Sequence, residues 1–191
     1  GLTAVHIVPE EGIFKGKSDL VILDDDFTSY KKDVAQIIEF KATGWSDRSY
    51  PNSLLGVIAL IRQTLLDANW YQKSTQIIEK YPEQNKLVPF HPSLSQLADF
   101  QLNRKPMLFM TKEEHGALRA LRIADEFNLA TWLLGSGYEY RRLKEIVELN
   151  PFIIFPLEFP SKPKVKDPHI ALQYSTEQLK HWDMAPDNIH K

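Results

Sequence analysis

Six histidines are the side chains best suited to hold a catalytic metal, and they are scattered along the chain. No two form a His-x-His pair, and no two stand four residues apart on one predicted helix. A zinc site needs three or four ligands that converge from rigid elements. The spacing therefore predicts that His6 is a hydrogen-bonded core or edge side chain and that His115, in a first helical turn, is solvated. The histidines lie at positions 6, 91, 115, 169, 181 and 190.

Carboxylates and serines offer two other kinds of site. The aspartates at positions 24–26 follow a predicted strand, where three carboxylates could bind a hard cation such as Mg²⁺. Aspartate is also common where a chain reverses, so a solvated turn is the favoured interpretation. Ser18, Ser46 and Ser136 have no evident His and Asp partners, and no G-x-S-x-G motif supports a serine hydrolase.

Two glycine-containing segments could bind an anion. Residues 12–18, GIFKGKS, lack the spacing of a phosphate loop and no helix clearly follows them, so phosphate binding there is disfavoured. Residues 135–137, GSG, lie between a predicted strand and a predicted helix, which is a better geometry for gripping an anion. Two glycines are only part of a dinucleotide fingerprint, so a tight strand-to-helix turn is the alternative.

The composition indicates one globular domain over residues 1–191. Hydrophobic residues make up 43% of the chain, enough for a sizeable core. A formal net charge of −2, without a long basic run, disfavours nucleic acid and anionic membrane as partners. With no cysteine there is no disulfide and no thiolate metal site. The tryptophans at 45, 70, 132 and 182 are predicted core or interface anchors.

The centre of the chain predicts a β-α-β-α-β run. Strands separated by helices of this length favour right-handed crossovers and a parallel sheet. The first helix is expected to bury Leu118, Leu121, Ala124 and Phe127, and the second Leu143, Ile146 and Val147. The predicted elements are a strand at 105–111, a helix at 112–128, a strand at 129–137, a helix at 138–150 and a strand at 151–160.

The flanking segments predict further strands and helices. Residues 2–8 are continuously apolar, which favours a buried strand, and a loop follows to residue 18. Strands at 19–25 and 34–40 are expected to pair as an antiparallel flap.

A long helix is expected from Pro51, with Ser49 as its cap, to Tyr81. Its buried stripe would be Leu54, Ile58, Ile61 and Leu65. A shorter helix is expected at 92–103, with Ser93 or Ser95 near its start. Another is expected after its cap Ser175, with Glu177 near the capping-box position and Pro186 as its stop.

Several strings together resemble the imidazolonepropionase-like branch of the amidohydrolase superfamily. They are GLTAVHIVPEEGIFKGKS, YPNSLLGVIALIRQTLLDANWYQ, ALRALRIADEFNLATWLLGSGYEYRRLKEI, FPLEFPSKPKVKDP and LKHWDMAP. The resemblance covers nearly the whole chain and looks most like an internal piece of a large bacterial two-barrel amidohydrolase. It implies an α/β fold: a partial TIM-type (β/α) barrel, with a mostly parallel sheet, flanking helices and a small antiparallel flap.

The resemblance also implies where a metal centre would lie. The superfamily holds its metal with a His-x-His on the first barrel strand, histidines after the fifth and sixth strands, and an aspartate after the eighth. At the two strand ends inside this chain, Met110-Thr111 and residues 135–137 stand where those histidines are expected. A thioether is a poor ligand for a hydrolytic zinc site. The segment is therefore predicted to hold no catalytic residue and no cofactor, with zinc implied only for the full-length protein.

Three hypotheses for function follow. The first is a barrel segment of a metal-dependent hydrolase of C–N bonds that lacks its own metal centre. The second is a non-catalytic scaffold, interaction or small-ligand-binding domain, with packed strand ends and weak binding positions at Met110, Thr111, Ser136 and Gly137. The third is a doubly wound domain that holds an anion at residues 135–137; helices on both faces of the sheet would distinguish it.

The expected partners follow from the exposed surface of an incomplete barrel. Open sheet edges require cover, which would come from remaining barrel segments or from a second copy of the chain. The alternative is cover by the 19–40 hairpin and the 157–174 loop. Neither nucleic acid nor a membrane is expected as a partner, and the resemblance allows a periplasmic or exported location.

Overall fold

A computed structural model describes residues 2–23, 30–43, 50–83, 88–158, 160–161, 163–164 and 167–185. Six strands form one sheet in chain order. They are Ala4–Ile7 (β1), Phe14–Ile22 (β2), Tyr30–Glu39 (β3), Met107–Met110 (β4), Thr131–Leu134 (β5) and Phe152–Ile154 (β6). The helices are Leu54–Lys80 (α1), Pro92–Leu102 (α2), Glu114–Glu126 (α3), Leu143–Glu148 (α4), Pro168–Ala171 (α5) and Thr176–Met184 (α6), and a 3-10 turn covers Glu139–Arg142.

The sheet is mixed and curls into a half-barrel. Strands β1, β2 and β3 pair antiparallel, whereas β3, β4, β5 and β6 pair parallel. The expected α/β partial barrel is therefore confirmed in its coarse form, with a mixed sheet where a mostly parallel one was predicted. The predicted pairing of the 19–25 and 34–40 segments was wrong in register. Strands β2 and β3 do pair antiparallel, but Leu20 lies opposite Lys31, and Ala35 in the second segment lies opposite Ser18. This hairpin lies within the sheet and does not cover it.

The two faces of the sheet differ. The convex face packs against the helices, and its buried strand residues are Ile38, Met107, Phe109 and Leu133. The concave face has a smaller cluster, to which no described helix contributes. Helices on one face fit a barrel segment and contradict the doubly wound alternative. The concave cluster consists of Ala35, Ile37 and Leu108, with Val8, Met110, Trp132, Leu134 and Ile154 packed against it.

The predictions for the first twenty residues were wrong in two respects. Strand β1 is not buried, because among the described strands it lies at the edge of the sheet and pairs only with β2. Its Val5 and Ile7 side chains are exposed. Residues 14–18 belong to β2 and are not loop. The glycines that suggested a loop serve the strand: Gly16 has φ +103°, beside a register shift between β2 and β3.

Helix α1 begins later than expected. Ser53, whose hydroxyl accepts from the Gly56 amide, is its cap; the proposed cap at position 49 lies outside the described residues. The start at Leu54 leaves that side chain exposed in the first turn. The stripe that faces the core is Val57, Ile61, Leu65, Ala68 and Tyr71.

The other helix predictions are largely confirmed. His91 caps α2 through its Nδ1, which accepts from the Leu94 amide. Ser175 caps α6 as expected, but Gln178 completes the capping box where Glu177 was expected; position 186 lies outside the described residues. The predicted 138–150 helix opens as a 3-10 turn, and Val147 is exposed while Ile146 is buried.

Candidate functional site

The carboxyl ends of β3, β4 and β5 lie at one edge of the sheet, which we call the rim. It consists of Glu39 at the end of β3, Met110 and Thr111 at the end of β4, and residues 135–137 after β5. In parallel barrels the side chains that do chemistry come from this edge. The rim is therefore where a candidate site has to be sought.

The glycine-serine-glycine turn after β5 is occupied by a carboxylate of the same chain. The fully buried Glu139 accepts hydrogen bonds from the Ser136 amide at 2.6 Å, the Ser136 hydroxyl at 2.9 Å and the Gly137 amide at 2.8 Å. A Cβ placed on Gly135 would lie 3.2 Å from its Oε1. The turn thus has the anion-gripping geometry that the sequence suggested, and Glu139 is the anion. Glu139 is not among the predicted site residues, although Ser136-x-x-Glu139 has the capping-box spacing.

The two residues at the end of β4 are engaged in packing and backbone bonding. Met110 is partly buried in the apolar cluster on the concave face. Thr111 is buried, and its hydroxyl donates to the Leu134 carbonyl at 2.8 Å. Neither side chain projects into solvent as a free ligand. Ligand binding at Met110, Thr111, Ser136 and Gly137 stays a prediction.

Glu39, which sequence analysis did not single out, is the buried charge at the rim. Its carboxylate lies 2.7 Å from the Lys15 Nζ and 2.8 Å from the Lys112 Nζ. The Lys15 side chain is 6% exposed, whereas that of Lys112 is 77% exposed. Burial by itself would raise the pKa of Glu39, but the hydrogen bonds and charges of Lys112 and Lys15 outweigh it and lower that pKa.

A cavity of about 270 Å³ lies beside this ion pair. Glu39, Met110 and Thr111 form one side of it, and Lys112 and Arg119 contribute positive charge. Arg119 is itself paired with Glu113, 2.8 Å from its Nη1. The cavity is large enough for a small molecule, and of its two cationic side chains Lys112 has a mostly solvated amine.

Helix α6 contacts the rim through His181. The imidazole stacks on Tyr138 with ring centres 4.0 Å apart, and its Cε1 lies 3.9 Å from where a Cβ on Gly137 would be. Tyr140 is a second aromatic neighbour of the imidazole, with ring centres 5.9 Å apart. The guanidinium of Arg141 lies over the Tyr138 ring, 4.7 Å from its centre. Burial, and then the nearby Arg141 charge, lower the pKa of His181. The imidazole therefore favours its neutral form, in which it packs as an aromatic ring.

The remaining predicted site residues either have structural roles or lie outside the described residues. His6 Nε2 is 2.7 Å from the Ser18 hydroxyl, which confirms a hydrogen-bonded edge histidine. Ser18 thus does have a histidine partner, contrary to expectation. Its hydroxyl is fully buried and also bonds the Ala35 backbone, so it anchors β2 to β3. His115 is solvated as predicted. Positions 24–26, 45, 46 and 190 lie outside the described residues.

The donor groups at the rim do not fit a zinc ion. Among the residues that the structure describes, no three of the His, Asp and Glu side chains are grouped to hold a metal. The rim offers a thioether, hydroxyls and the Glu39 carboxylate, which is paired with Lys15 and Lys112. The nearby Glu139 carboxylate is already bonded to backbone amides. Zinc in hydrolytic sites takes imidazole and carboxylate ligands around an open position.

None of the described helices has the length and apolarity to span a membrane.

Comparison with known proteins gives one structural likeness. No protein-family model and no curated protein matches the chain. Among solved structures, the chain is similar to an amidohydrolase from Thermotoga maritima MSB8, with a TM-score of 0.70 and 18% identity. The match covers 97% of this chain and 49% of that one, so the chain spans about half the length of the structure it resembles. The likeness supports an amidohydrolase-like fold and does not reach the imidazolonepropionase-like branch.

Proposed function

We propose that this chain is a half-barrel segment of an amidohydrolase-like hydrolase of C–N bonds, of the imidazolonepropionase-like branch, and contributes no metal ligand. The observation that carries the proposal is the Glu139 carboxylate seated in the amides of residues 136 and 137. A strand end that would present a catalytic ligand is instead used to close a turn. The structural likeness to an amidohydrolase supports the class of the parent fold.

In such hydrolases a bound metal activates water for attack on an amide or imine carbon. The rim of this chain lacks the donors for that task, so the metal and its ligands would belong to another part of the parent protein. This segment would then act as scaffold: it supplies a rigid strand edge and an apolar wall. It would affect the reaction by holding in position the partner segments that complete the barrel.

The partner we propose is the remaining set of barrel segments. Strand β6 pairs with β5 on one side, and among the described strands it has no neighbour on the other. Parallel strands are normally covered on both faces, but Phe152 on β6 is exposed and rests against Trp132, with ring centres 5.3 Å apart. A parallel strand that paired with β6 would extend the sheet and bury this aromatic pair.

A pair of neighbouring substitutions tests whether the concave face awaits a partner. Phe152→Lys is expected to cost about 1 kcal/mol, the value of a lost aromatic contact. It should also weaken binding of the dye 1-anilinonaphthalene-8-sulfonate. Ile153→Lys, whose side chain packs into the convex core, is expected to cost about 3 kcal/mol because it places a charge there. Urea unfolding and dye fluorescence measure both effects. Equal destabilisation by the two variants would show that the concave face is already a filled core.

The second candidate, a small-ligand-binding domain, is favoured by the cavity beside Glu39. That cavity holds Lys112 next to Met110 and Thr111, two of the predicted binding positions. A small carboxylate could pair with the solvated Lys112 amine without disturbing the Lys15–Glu39 pair. Unlike the first candidate, this one needs no second half-barrel. A ligand that binds in the cavity with the same affinity in the unaltered chain and in Phe152→Lys would therefore favour it.

A further inference from the structure

Helix α1 is apolar on two opposite faces. One face contains Val57, Ile61 and Leu65 and packs into the core. At about 100° per residue, a second set of apolar residues falls within a sector of about 60° on the opposite side of the helix. A surface helix normally carries one apolar stripe, so this second one requires an explanation. It consists of Leu55, Ala59, Leu66, Trp70 and Ile77, all of them exposed, and we call it the outer stripe.

The outer stripe is symmetric about Leu66. Leu55 and Ile77 each lie eleven residues from Leu66, on either side. Arg62 and Trp70 each lie four residues from it in the same way. Steps of eleven residues correspond to about 3.67 residues per turn, close to the 3.6 of a straight helix, so these positions stay on one line along α1. Rotation by half a turn about Leu66 therefore superimposes Leu66 on itself and Leu55 on Ile77, whereas Trp70 falls on Arg62 and Ala59 on Lys73.

We propose that the outer stripe binds a second copy of this chain, with the two α1 helices antiparallel and a two-fold axis at Leu66. In that arrangement Leu66 meets its own equivalent and Leu55 meets Ile77 of the other copy. The same surface serves both copies, as a two-fold dimer requires. The occupant follows from the even spacing of Leu55, Leu66 and Ile77 together with the Arg62 and Trp70 positions, because an unrelated partner helix would not need residues placed symmetrically about Leu66.

The charges beside the outer stripe agree with this pairing. Arg62 would face the Trp70 ring of the other copy, where a guanidinium binds an aromatic face favourably. Its Nε is held 2.7 Å from Glu126 Oε2 of its own chain, so part of its charge is already balanced. Lys73, seven residues from Leu66, would lay its aliphatic stem over Ala59. No carboxylate lies within the stripe, and no like charges meet directly across the axis.

The size of the outer stripe sets the expected strength of the dimer. Its length from Leu55 to Ile77 is about 33 Å at 1.5 Å per residue. A strip about 10 Å wide would bury about 700 Å² in total from both copies, below the roughly 1,200–2,000 Å² of a stable complex. The dimer is therefore expected to be weak and concentration-dependent, with dissociation in the micromolar range or above.

Single cysteines test the two-fold axis, since the chain has no cysteine of its own. Under mild oxidation L66C is expected to form a disulfide-linked dimer at least about tenfold faster than I77C, because paired copies hold the L66C thiols at high effective concentration. I77C is a matched control for L66C because the two native side chains are almost equally exposed, Leu66 at 52% and Ile77 at 53%. I77C would face Leu55, so the double variant L55C/I77C should regain rapid cross-linking. Equal rates for L66C and I77C would overturn the proposal.

Sedimentation velocity over a concentration series tests the same interface without cross-links. The unaltered chain is expected to shift from monomer to dimer, and L66E to stay monomeric with an unchanged circular dichroism spectrum. L102E, an exposed leucine on α2, should associate like the unaltered chain. A chain that stays monomeric throughout, or association that survives L66E, would contradict the proposal. Binding to phosphatidylglycerol vesicles without self-association would assign the stripe to a membrane surface and would also overturn it.

Discussion

Replacing Glu139 with alanine is expected to destabilise the fold by about 3–4 kcal/mol. The carboxylate is fully buried and accepts three hydrogen bonds from Ser136 and Gly137. Without it, two backbone amides and a hydroxyl lose their acceptor in a space that water reaches poorly, and each such loss carries a desolvation penalty. Urea unfolding followed by circular dichroism measures the difference in the free energy of unfolding.

Two comparisons make the Glu139 prediction specific to its carboxylate. Ser136→Ala removes one of the three donors and is expected to cost about 1 kcal/mol. Added acetate should stabilise Glu139→Ala more than it stabilises the unaltered chain, since a free carboxylate can occupy the vacated turn. A loss below about 1 kcal/mol for Glu139→Ala, with no effect of acetate, would show that the turn does not depend on its internal anion.

Replacing Glu39 with methionine is expected to cost about 3–5 kcal/mol, because it leaves the Lys15 ammonium buried without a counter-ion. The double variant Lys15→Met/Glu39→Met should recover most of that loss, since two apolar side chains of similar volume can replace a buried ion pair at little cost. Lys112→Met serves as the control. The Lys112 amine is largely solvated, so its removal is expected to cost less than about 1 kcal/mol.

The Lys15–Glu39 ion pair makes the stability of the fold depend on pH in the acid range, and the direction of that dependence follows from the pKa of Glu39. The pKa of Glu39 in the folded chain lies below its ordinary value of 4.5. Its contribution to stability is therefore complete above about pH 4.5 and is lost as the pH falls through the lower folded pKa. The double variant should show a flatter stability curve on the acid side than the unaltered chain. If Lys15→Met/Glu39→Met is as unstable as Glu39→Met, the loss of unfolding free energy comes from packing and not from the unpaired buried charge.

The central part of the fold could be predicted because its periodicity is local. Strands β4 and β5 and helix α3 each show their own pattern of apolar residues, and the parallel order follows from the alternation of strand and helix. The start of the chain could not be predicted this way. An apolar run such as residues 2–8 has the same pattern whether a strand is central or at an edge, and only the tertiary neighbours decide its burial.

The candidate site was predictable where its partners are close in sequence. Glu139 stands three residues after Ser136, and that spacing is a known capping pattern. Glu39 has partners at Lys15 and Lys112, far before and far after it along the chain. No local pattern links such residues, because the sheet brings β2, β3 and the end of β4 together only after folding. Met110 and Thr111 lie at the end of β4 and residues 135–137 follow β5, but the engagement of these residues in packing required the structure.

The measurement that tests the central claim most directly is a calorimetric titration of the chelator-washed chain with Zn²⁺ near pH 7.5, repeated with Glu139→Gln. The claim is that the rim is filled by the chain's own side chains and holds no metal. It predicts no stoichiometric zinc binding attributable to the rim, so that the two proteins titrate alike. One equivalent of tightly bound zinc, lost in Glu139→Gln and accompanied by hydrolysis of a cyclic amide, would contradict it.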